Sequence, residues 1–424
     1  MSSSSANVAN ARPGFLSVLR VREFRLLWFA YAQSLLGDQL ARVALSILVY
    51  DRTSSGLATA AVYGLTYLPA LFGGLLFGHL ADRLPRRALL VGGDLIRAAI
   101  VALMAVPGMA LWLVALLLVV VVLVGTPWKA AESALVVDLV EADRYPLATG
   151  LRTATMQAAQ LVGFAGGGLA VSIIGARGAL ALDAASFAGS ALLIRIGIRR
   201  RSRASEELAG AGLRPRRWAG GVRSVWDHRK LRYLLGLAWL VGLLVLPEGL
   251  AAPYAHESGG SSAAVGLLLA SGPAGVLIGT VILARFVPAR LRSRLIAPMA
   301  VAAGVPLIVC ALGPGWAMSA VLWAASGACM SYQVQVVTEF VSTIPAQIRG
   351  QGIAVASSGL LAAQGLGFML GGVLSLAWST SLTIAVAGAL AVGLAAGCGW
   401  ALRRVQREDI PPPARAMEEP KSLL

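Results

Sequence analysis

Twelve apolar stretches, each long enough to cross a lipid bilayer, occupy almost the whole chain. A spanning helix needs about 20 mostly apolar residues to cover roughly 30 Å of hydrocarbon, and its backbone polar groups must be paired within the helix. The stretches therefore predict an all-α polytopic membrane protein with twelve transmembrane helices. Their expected bounds are Leu26–Val49, Gly56–Leu80, Ala88–Val106, Ala110–Lys129, Ala148–Ile174, Ala176–Ile198, Leu231–Ala252, Ser261–Ala284, Leu295–Leu312, Trp316–Val341, Gly352–Leu376 and Ser379–Leu402.

The distribution of positive charge predicts the orientation of these spans. The formal net charge of +16 would suit a nucleic-acid-binding protein, but lysine and arginine gather at alternate loops, which is the positive-inside pattern of membrane proteins. Both termini and the long middle loop are therefore expected in the cytoplasm, with a multi-pass chain in the cell membrane. The positive loops are expected to lie against anionic lipid headgroups rather than against nucleic acid.

The polar intervals divide the chain into five parts. The expected parts are a cytoplasmic N-terminal segment (1–25), a six-helix bundle (26–198), a cytoplasmic linker (199–230), a second six-helix bundle (231–402) and a disordered cytoplasmic tail (403–424). Within the linker, tryptophan and valine recur at helical spacing among arginines. This pattern predicts a helix in the membrane interface or the start of the seventh span; its apolar residues are Trp218, Val222, Val225 and Trp226.

An internal repeat indicates that the two bundles are related. The fifth and eleventh spans share Ala-Ala-Gln, Gly-Phe and Gly-Gly in the same register, 204 residues apart. Small residues four apart let helix backbones approach closely; chance similarity in Gly/Ala-rich sequence is the alternative interpretation. Parallel six-helix halves with a substrate site between them are a known transporter plan. The expected helix-packing glycines are Gly163, Gly167, Gly168, Gly367, Gly371 and Gly372.

The loop between the second and third spans reads Gly-His-Leu-Ala-Asp-Arg-Leu-Pro-Arg-Arg, from Gly78 to Arg87. It resembles the cytoplasmic loop signature of the major facilitator superfamily, G-x-L-a-D-r-x-G-r-k/r, although Pro85 replaces the second glycine. The resemblance implies two pseudo-symmetric six-helix bundles that rock about a central site. It also implies that Asp82 meets the start of the eleventh span and locks the cytoplasmic side closed.

The same loop allows a plainer interpretation, in which its arginines serve only as inside-positive charges. The expected residues of the gate motif are Gly78, Asp82, Arg83, Arg86 and Arg87.

Further stretches resemble bacterial exporters similar to the enterobactin-exporter branch. They include Phe24 to Trp28, Ser34 to Asp38 and Asp94 to Arg97. The repeat in the fifth span is similar to an antiporter motif in which proline follows the first glycine, but Phe164 stands there in this chain. The resemblance implies export, and the missing proline weakens that implication.

Polar and ionisable groups inside spans are costly in lipid and mark candidate functional sites. Asp38 and Arg42 are four residues apart on one helix face, so they form either a structural ion pair or a proton switch. Glu248 lies between a proline and a glycine in the seventh span, a sequence that can interrupt a helix near a binding site. Gln333 and Gln335 in the tenth span are candidates for substrate hydrogen bonds or for helix packing.

Other charged groups are expected to be structural. Asp94 and Arg97 are spaced to pair with each other, and Lys129 is expected to pair with Glu132 near the cytoplasmic end of the fourth span. Asp183 is expected to be structural.

The combined pattern predicts a secondary active transporter that exports a small hydrophobic or amphipathic compound in exchange for protons. No catalytic residues, cofactor or metal site is expected, because the sequence lacks a phosphate-binding loop, a His-Glu-x-x-His motif and a nucleophile elbow. We expect a monomer whose partners are the substrate, protons and lipid. Uptake by the same fold is the alternative, and a non-transporting receptor or scaffold is a more distant one.

Overall fold

Twelve long helical segments follow one another in the computed structural model, which describes residues 15–77, 80–199, 223, 225–345 and 347–408. Two short helices, Phe15–Leu19 and Leu80–Arg83, and a 3-10 turn, Cys310–Leu312, lie between or before them. No strand occurs in these ranges. The segments are α1 (Arg22–Thr53), α2 (Gly56–Gly64 and Leu68–Phe77), α3 (Arg86–Met104), α4 (Leu111–Leu139), α5 and α6 (the two arms of Tyr145–Gly197), α7 (Arg229–Trp239, Val241–Leu244, Leu246–Gly249 and Ala251–Glu257), α8 (Ser262–Phe286), α9 (Ala289–Val309), α10 (Gly315–Met330 and Tyr332–Thr343), α11 (Arg349–Leu374) and α12 (Thr380–Glu408).

Eight helices in the described ranges are long and apolar enough to cross a membrane by length and composition alone. One of them, Tyr145–Gly197, contains both α5 and α6 because the backbone turns at Gly175, where φ is +72°. Left-handed dihedrals of this kind favour glycine, which has no Cβ to clash. Of the other segments, α1 carries the half-buried Asp38 and Arg42, α3 carries the buried Asp94 and Arg97, and α10 is interrupted near Ser331.

The helix ends form two faces. At one face, Glu23 of α1 pairs with Arg199 beyond α6, Arg87 of α3 donates to the carbonyl of Arg195, and Lys230 of α7 pairs with a carboxylate of α10. We call this the basic face. At the opposite face, Arg52 of α1 donates to the Met109 carbonyl at 2.7 Å.

The repeated glycines occupy matching places in the two bundles. A Cβ on Gly163 or Gly167 of α5 would come within 2.9 Å of α1, and one on Gly367 or Gly371 of α11 would come within 2.7 Å of α7. Because α7 is the counterpart of α1, these contacts describe a pseudo-twofold relation between the bundles. The predicted fold class, two six-helix bundles of an all-α membrane protein, is confirmed.

The third glycine of each repeat faces the other bundle. A Cβ on Gly168 of α5 would lie 2.7 Å from the Gly266 Cα of α8, and one on Gly372 of α11 would lie 3.0 Å from Ala60 of α2. At the opposite face, two residues before Arg52, the ring of Tyr50 lies 5.4 Å from the ring of His256 of α7. The bundles therefore meet closely toward the opposite face.

The polar termini and linker differ in part from their predicted bounds. The helix α12 continues to Glu408, because no helix breaker occurs before Pro411 and arginines in a last turn interact favourably with the helix dipole. Residues 1–14, 200–222 and 409–424 lie outside the described part, and so do Trp218 and Val222 of the predicted interfacial helix. Trp226 of that helix lies 6.1 Å from the Trp239 ring of α7.

The contact between Gly168 and Gly266 predicts a site-specific response to added volume. Gly168→Val should hold the bundles apart toward the opposite face, because overpacking costs about 1–3 kcal/mol. The readout is the alkylation rate of a cysteine placed at buried Ala264, in a background without the native cysteines. This rate should rise by roughly tenfold if the equilibrium between the closed and the separated bundles shifts by about 1.4 kcal/mol. Gly166→Val is the matched control, since a Cβ there meets nothing within 4 Å; equal rates in both variants would contradict the prediction.

Candidate functional site

A cavity lies between α5 of the first bundle and four helices of the second. It holds about 550 Å³ of space between its walls, including the part that opens to solvent. Most of its wall is apolar, and the polar side chains on it are those of Gln157, Gln160, Glu248 and Ser326. The apolar wall comes from Leu244, Pro247, Leu268, Leu269, Pro273, Val276, Leu307, Trp323 and Met330.

Glu248 is placed in this cavity by a break in α7. The helix is divided into four short pieces around Pro247 and Pro253, because a proline inside a helix removes a backbone hydrogen bond and clashes with the preceding turn. The Tyr63 hydroxyl of α2 donates to Glu248 Oε2 at 3.1 Å. This hydrogen bond joins the two bundles at the cavity wall.

Arg42 extends the same polar arrangement into the first bundle. Its guanidinium donates to the Tyr67 hydroxyl at 3.0 Å and lies 5.0 Å from the centre of that ring. The rings of Tyr63 and Tyr67 are stacked at 6.4 Å. Arg42, two tyrosines and Glu248 thus form one continuous row that runs from α1 through α2 to α7.

The structural ion pair considered for Asp38 and Arg42 is not formed. Arg42 bonds to Tyr67 on α2 instead, because its long side chain reaches past the face that it shares with Asp38. Within the described part of the chain, Asp38 is half-buried and makes no hydrogen bond or ion pair.

The predicted pair of Lys129 and Glu132 is wrong. Glu132 bonds to Arg152 of α5, whose guanidinium also lies 5.4 Å from the Tyr31 ring. Lys129 is exposed on α4 and makes no hydrogen bond or ion pair in the described part of the chain. The three-residue spacing on α4 did not reveal that the neighbouring helix α5 offers Glu132 a better partner.

Gln333 bonds to the neighbouring helix α7 and does not line the cavity. Its amide donates to the Ala238 carbonyl of α7 at 3.1 Å and to the Tyr332 hydroxyl at the same distance. Gln335 is half-buried and lies away from the cavity wall.

Sequence analysis missed the two cavity glutamines as binding candidates. Gln157 and Gln160 are three residues apart in an otherwise apolar span, so they share a helix face, and this spacing is the signal that could have found them. Gln160 also belongs to the repeated Ala-Ala-Gln.

The gate motif is only partly described. Gly78 and the side chain of Asp82 lie outside the described residues, and Arg83 is exposed. Arg86 pairs with Asp138 of α4, and Arg87 donates to a carbonyl of α6. These two arginines therefore connect helices within the first bundle.

Asp94 and Arg97 of α3 form a buried ion pair, which confirms their predicted pairing. Ser190 connects this pair with α6. The Arg97 and Asp94 side chains are paired and are 5% and 0% exposed. Ser190 of α6 donates to the other oxygen of Asp94 at 2.6 Å, and the Arg97 guanidinium lies 4.2 Å from the Phe187 ring. This arrangement pairs the two charges with each other inside the bundle, while Arg97 Nε has no hydrogen-bond partner among the described residues.

Comparison with known proteins places this architecture in a family. Residues 14–423 match the major facilitator family model described as "Transmembrane secretion effector". The chain belongs to the major facilitator superfamily. An uncharacterized MFS-type transporter of Bacillus subtilis (strain 168), YkuC, is 30% identical over 183 residues, which are 42% of this chain and 43% of YkuC. The match therefore spans less than half the length of that relative.

Solved structures of other transporters share the fold. A bacterial homolog of the human lysosomal transporter Spinster, in an inward-facing and occupied conformation, superposes with a TM-score of 0.74 at 15% identity, covering 96% of this chain and 100% of that one. A POT family transporter in complex with 5-aminolevulinic acid gives 0.69 at 12% identity, covering 88% and 94%. The enterobactin-exporter branch is not reached by these matches and stays a prediction.

The buried pair of Asp94 and Arg97 predicts an asymmetric stability response. Arg97→Met should lower the free energy of unfolding by about 3–5 kcal/mol, because it leaves Asp94 buried without a counter-ion. Adding Asp94→Leu to Arg97→Met should restore most of that loss. Arg86→Met, at a half-exposed pair, should cost at most about 1 kcal/mol. Unfolding of the purified variants in detergent measures all three, and equal losses in Arg97→Met and Arg86→Met would contradict the interpretation.

Proposed function

We propose that the protein is a secondary active transporter that exports a small hydrophobic or amphipathic compound in exchange for protons. The mostly apolar cavity between the bundles is the observation that carries the proposal. Pockets of this kind hold apolar ligands, with a few polar groups fixing the orientation. Gln157, Gln160 and Ser326 supply hydrogen-bonding groups for the polar end of an amphipathic compound.

The proposed cycle is rocking of residues 26–198 against residues 231–402 about this cavity. The close contacts of Gly168 with Gly266 and of Gly372 with Ala60 support a state that is closed toward the opposite face. With the basic face and both termini in the cytoplasm, as the positive loops favour, such a state would load its substrate from the cytoplasm. The family description as a secretion effector supports the same direction.

Proton exchange is proposed to act on the row that joins the bundles. Neutralising Glu248 would weaken its attraction for Arg42 and its hydrogen bond from Tyr63, which are made across the bundle boundary. A ligand shifts a conformational equilibrium only by its different affinity for the two states. Because this bond requires the bundles to be close, the proton would favour one state over the other.

The remaining assignments belong to the same proposal. Asp82, with Gly78 and the arginines at 83, 86 and 87, would form the gate of the basic face when the cavity opens to the other side. The transporter would work in the cell membrane as a monomer surrounded by lipid, without a cofactor and without enzymatic activity. Asp38 remains a proton-binding candidate, whereas the packing role of Gln333 argues against substrate contact there.

Export predicts lower accumulation of amphipathic fluorescent dyes in cells that make the protein. A panel of cationic, neutral and anionic dyes should include compounds whose accumulation rises when the proton gradient is collapsed. Glu248→Gln should abolish the effect of the gradient. Tyr63→Phe should shift the equilibrium between the states with and without the Tyr63–Glu248 bond by roughly tenfold, since a hydrogen bond to a charged group contributes about 1.5 kcal/mol.

Glu141→Gln is the matched control, because that side chain is 72% exposed and its partner Arg144 lies 3.5 Å away on the surface. Unchanged accumulation of every dye would refute export of this substrate class. Higher accumulation in cells that make the protein would instead favour uptake.

A further inference from the structure

Asp183 of α6 is a buried carboxylate without a counter-ion in the described part of the chain. Its side chain is 2% exposed, and the hydrogen bond that it accepts comes from Ser186 Oγ at 3.3 Å on its own helix. Burying an ionised carboxylate without a partner is costly, so such a group tends to hold a proton. Asp183 had been expected to be structural.

The Asp183 carboxylate lies against α1 beside Gly37. A Cβ on Gly37 would come within 2.3 Å of Asp183 Oδ1, so the absent side chain of Gly37 makes room for the carboxyl group. Four residues earlier on α1, the Gln33 amide donates to the Ser186 carbonyl at 3.0 Å. The carboxyl group is therefore placed in an interface whose packing depends on its state.

Charged groups on the neighbouring helices act on Asp183 in opposite directions. Asp38 follows Gly37 on α1 and carries a negative charge, whereas the positive charge of Arg97 on α3 lies 4.2 Å from the Phe187 ring, one turn along α6 from Asp183. Arg97 is already paired with Asp94, so much of its charge is offset. A further positive charge, that of Lys129 on α4, interacts with Asp38.

We propose that Asp183 binds a second proton during transport, in addition to the one on Glu248, and that Asp38 passes this second proton between Asp183 and the space between the bundles. This inference rests on the proposed function and assigns the proton to the interface of α1 and α6. Asp38 suits the second role because it is half-buried and makes no hydrogen bond or ion pair in the described part of the chain. Release of the proton would leave two negative carboxylates in one interface, which drives α1 and α6 to rearrange.

Infrared spectroscopy of the purified full chain in lipid nanodiscs tests the proton assignment without any transported compound. Glu248→Gln serves as the parent in these tests, because Glu248 is the other proposed proton-binding carboxylate. This parent should show the C=O stretch of a protonated carboxylic acid near neutral pH, and the band should disappear as the pH rises. Asp183→Asn should remove the band and Asp183→Glu should restore it at a shifted frequency. Asp227→Asn, at a side chain that is 74% exposed, is the control and should leave the band unchanged.

A distance measurement tests whether this proton controls the bundles. Spin labels at exposed Glu141 and Ser342, one on each bundle at the basic face, should report a separation that changes with pH in the parent and in Asp227→Asn. The change should be lost in Asp183→Asn and kept in Asp183→Glu. A band that survives in Asp183→Asn, or a separation that still responds to pH in that variant, would overturn the proposal.

A substitute variant and a comparison with the dye experiment complete the test. If Asp183→Asn fails to fold, Asp38→Asn serves in its place: removing the neighbouring negative charge should make the band disappear at a lower pH, and an unchanged midpoint would overturn the proposal. A protein that exports none of the dyes but shows both pH effects would refute the proposed substrate class and leave the Asp183 assignment standing.

Discussion

Close approach of helix backbones at the repeated glycines is the constraint on which the architecture depends. In lipid there is little hydrophobic gain from bringing helices together, so packing contacts and hydrogen bonds must hold them. Two glycines of each repeat place α5 on α1 and α11 on α7, while the third places each helix on the other bundle. The same three positions therefore build each bundle and join the two, which explains why they occur in duplicate.

Charge is divided unequally between the bundles. The first contains the ion pair of Asp94 and Arg97, the pair of Glu132 and Arg152, and the uncompensated Asp183. The second bundle supplies most of the apolar cavity wall, and Glu248 is the charged residue on that wall. Proton binding and substrate binding can thus be performed by different helices, and the row from Arg42 to Glu248 is the physical connection between them.

Features that repeat along the chain were predictable from the sequence, whereas partners across helices were not. Apolar length gave the number of helices, and the glycine at 175 lies between two spans that had been separated correctly. Helical spacing gave the pair of Asp94 and Arg97 because both members lie on one helix. The same reasoning failed for Glu132 and for Arg42, because Arg152 and Tyr67 come from other helices and spacing within one helix carries no information about them.

The turn at Gly175 joins the helix that carries the cavity glutamines to the helix that carries the buried carboxylate. Gln157 and Gln160 lie on the arm before it, and Asp183 lies eight residues after it on the next arm. With a single residue between the arms, there is no slack to absorb a tilt of one without displacing the other. In the proposed cycle, a compound that displaces the arm with the glutamines would therefore also displace the arm with Asp183, where α6 meets α1.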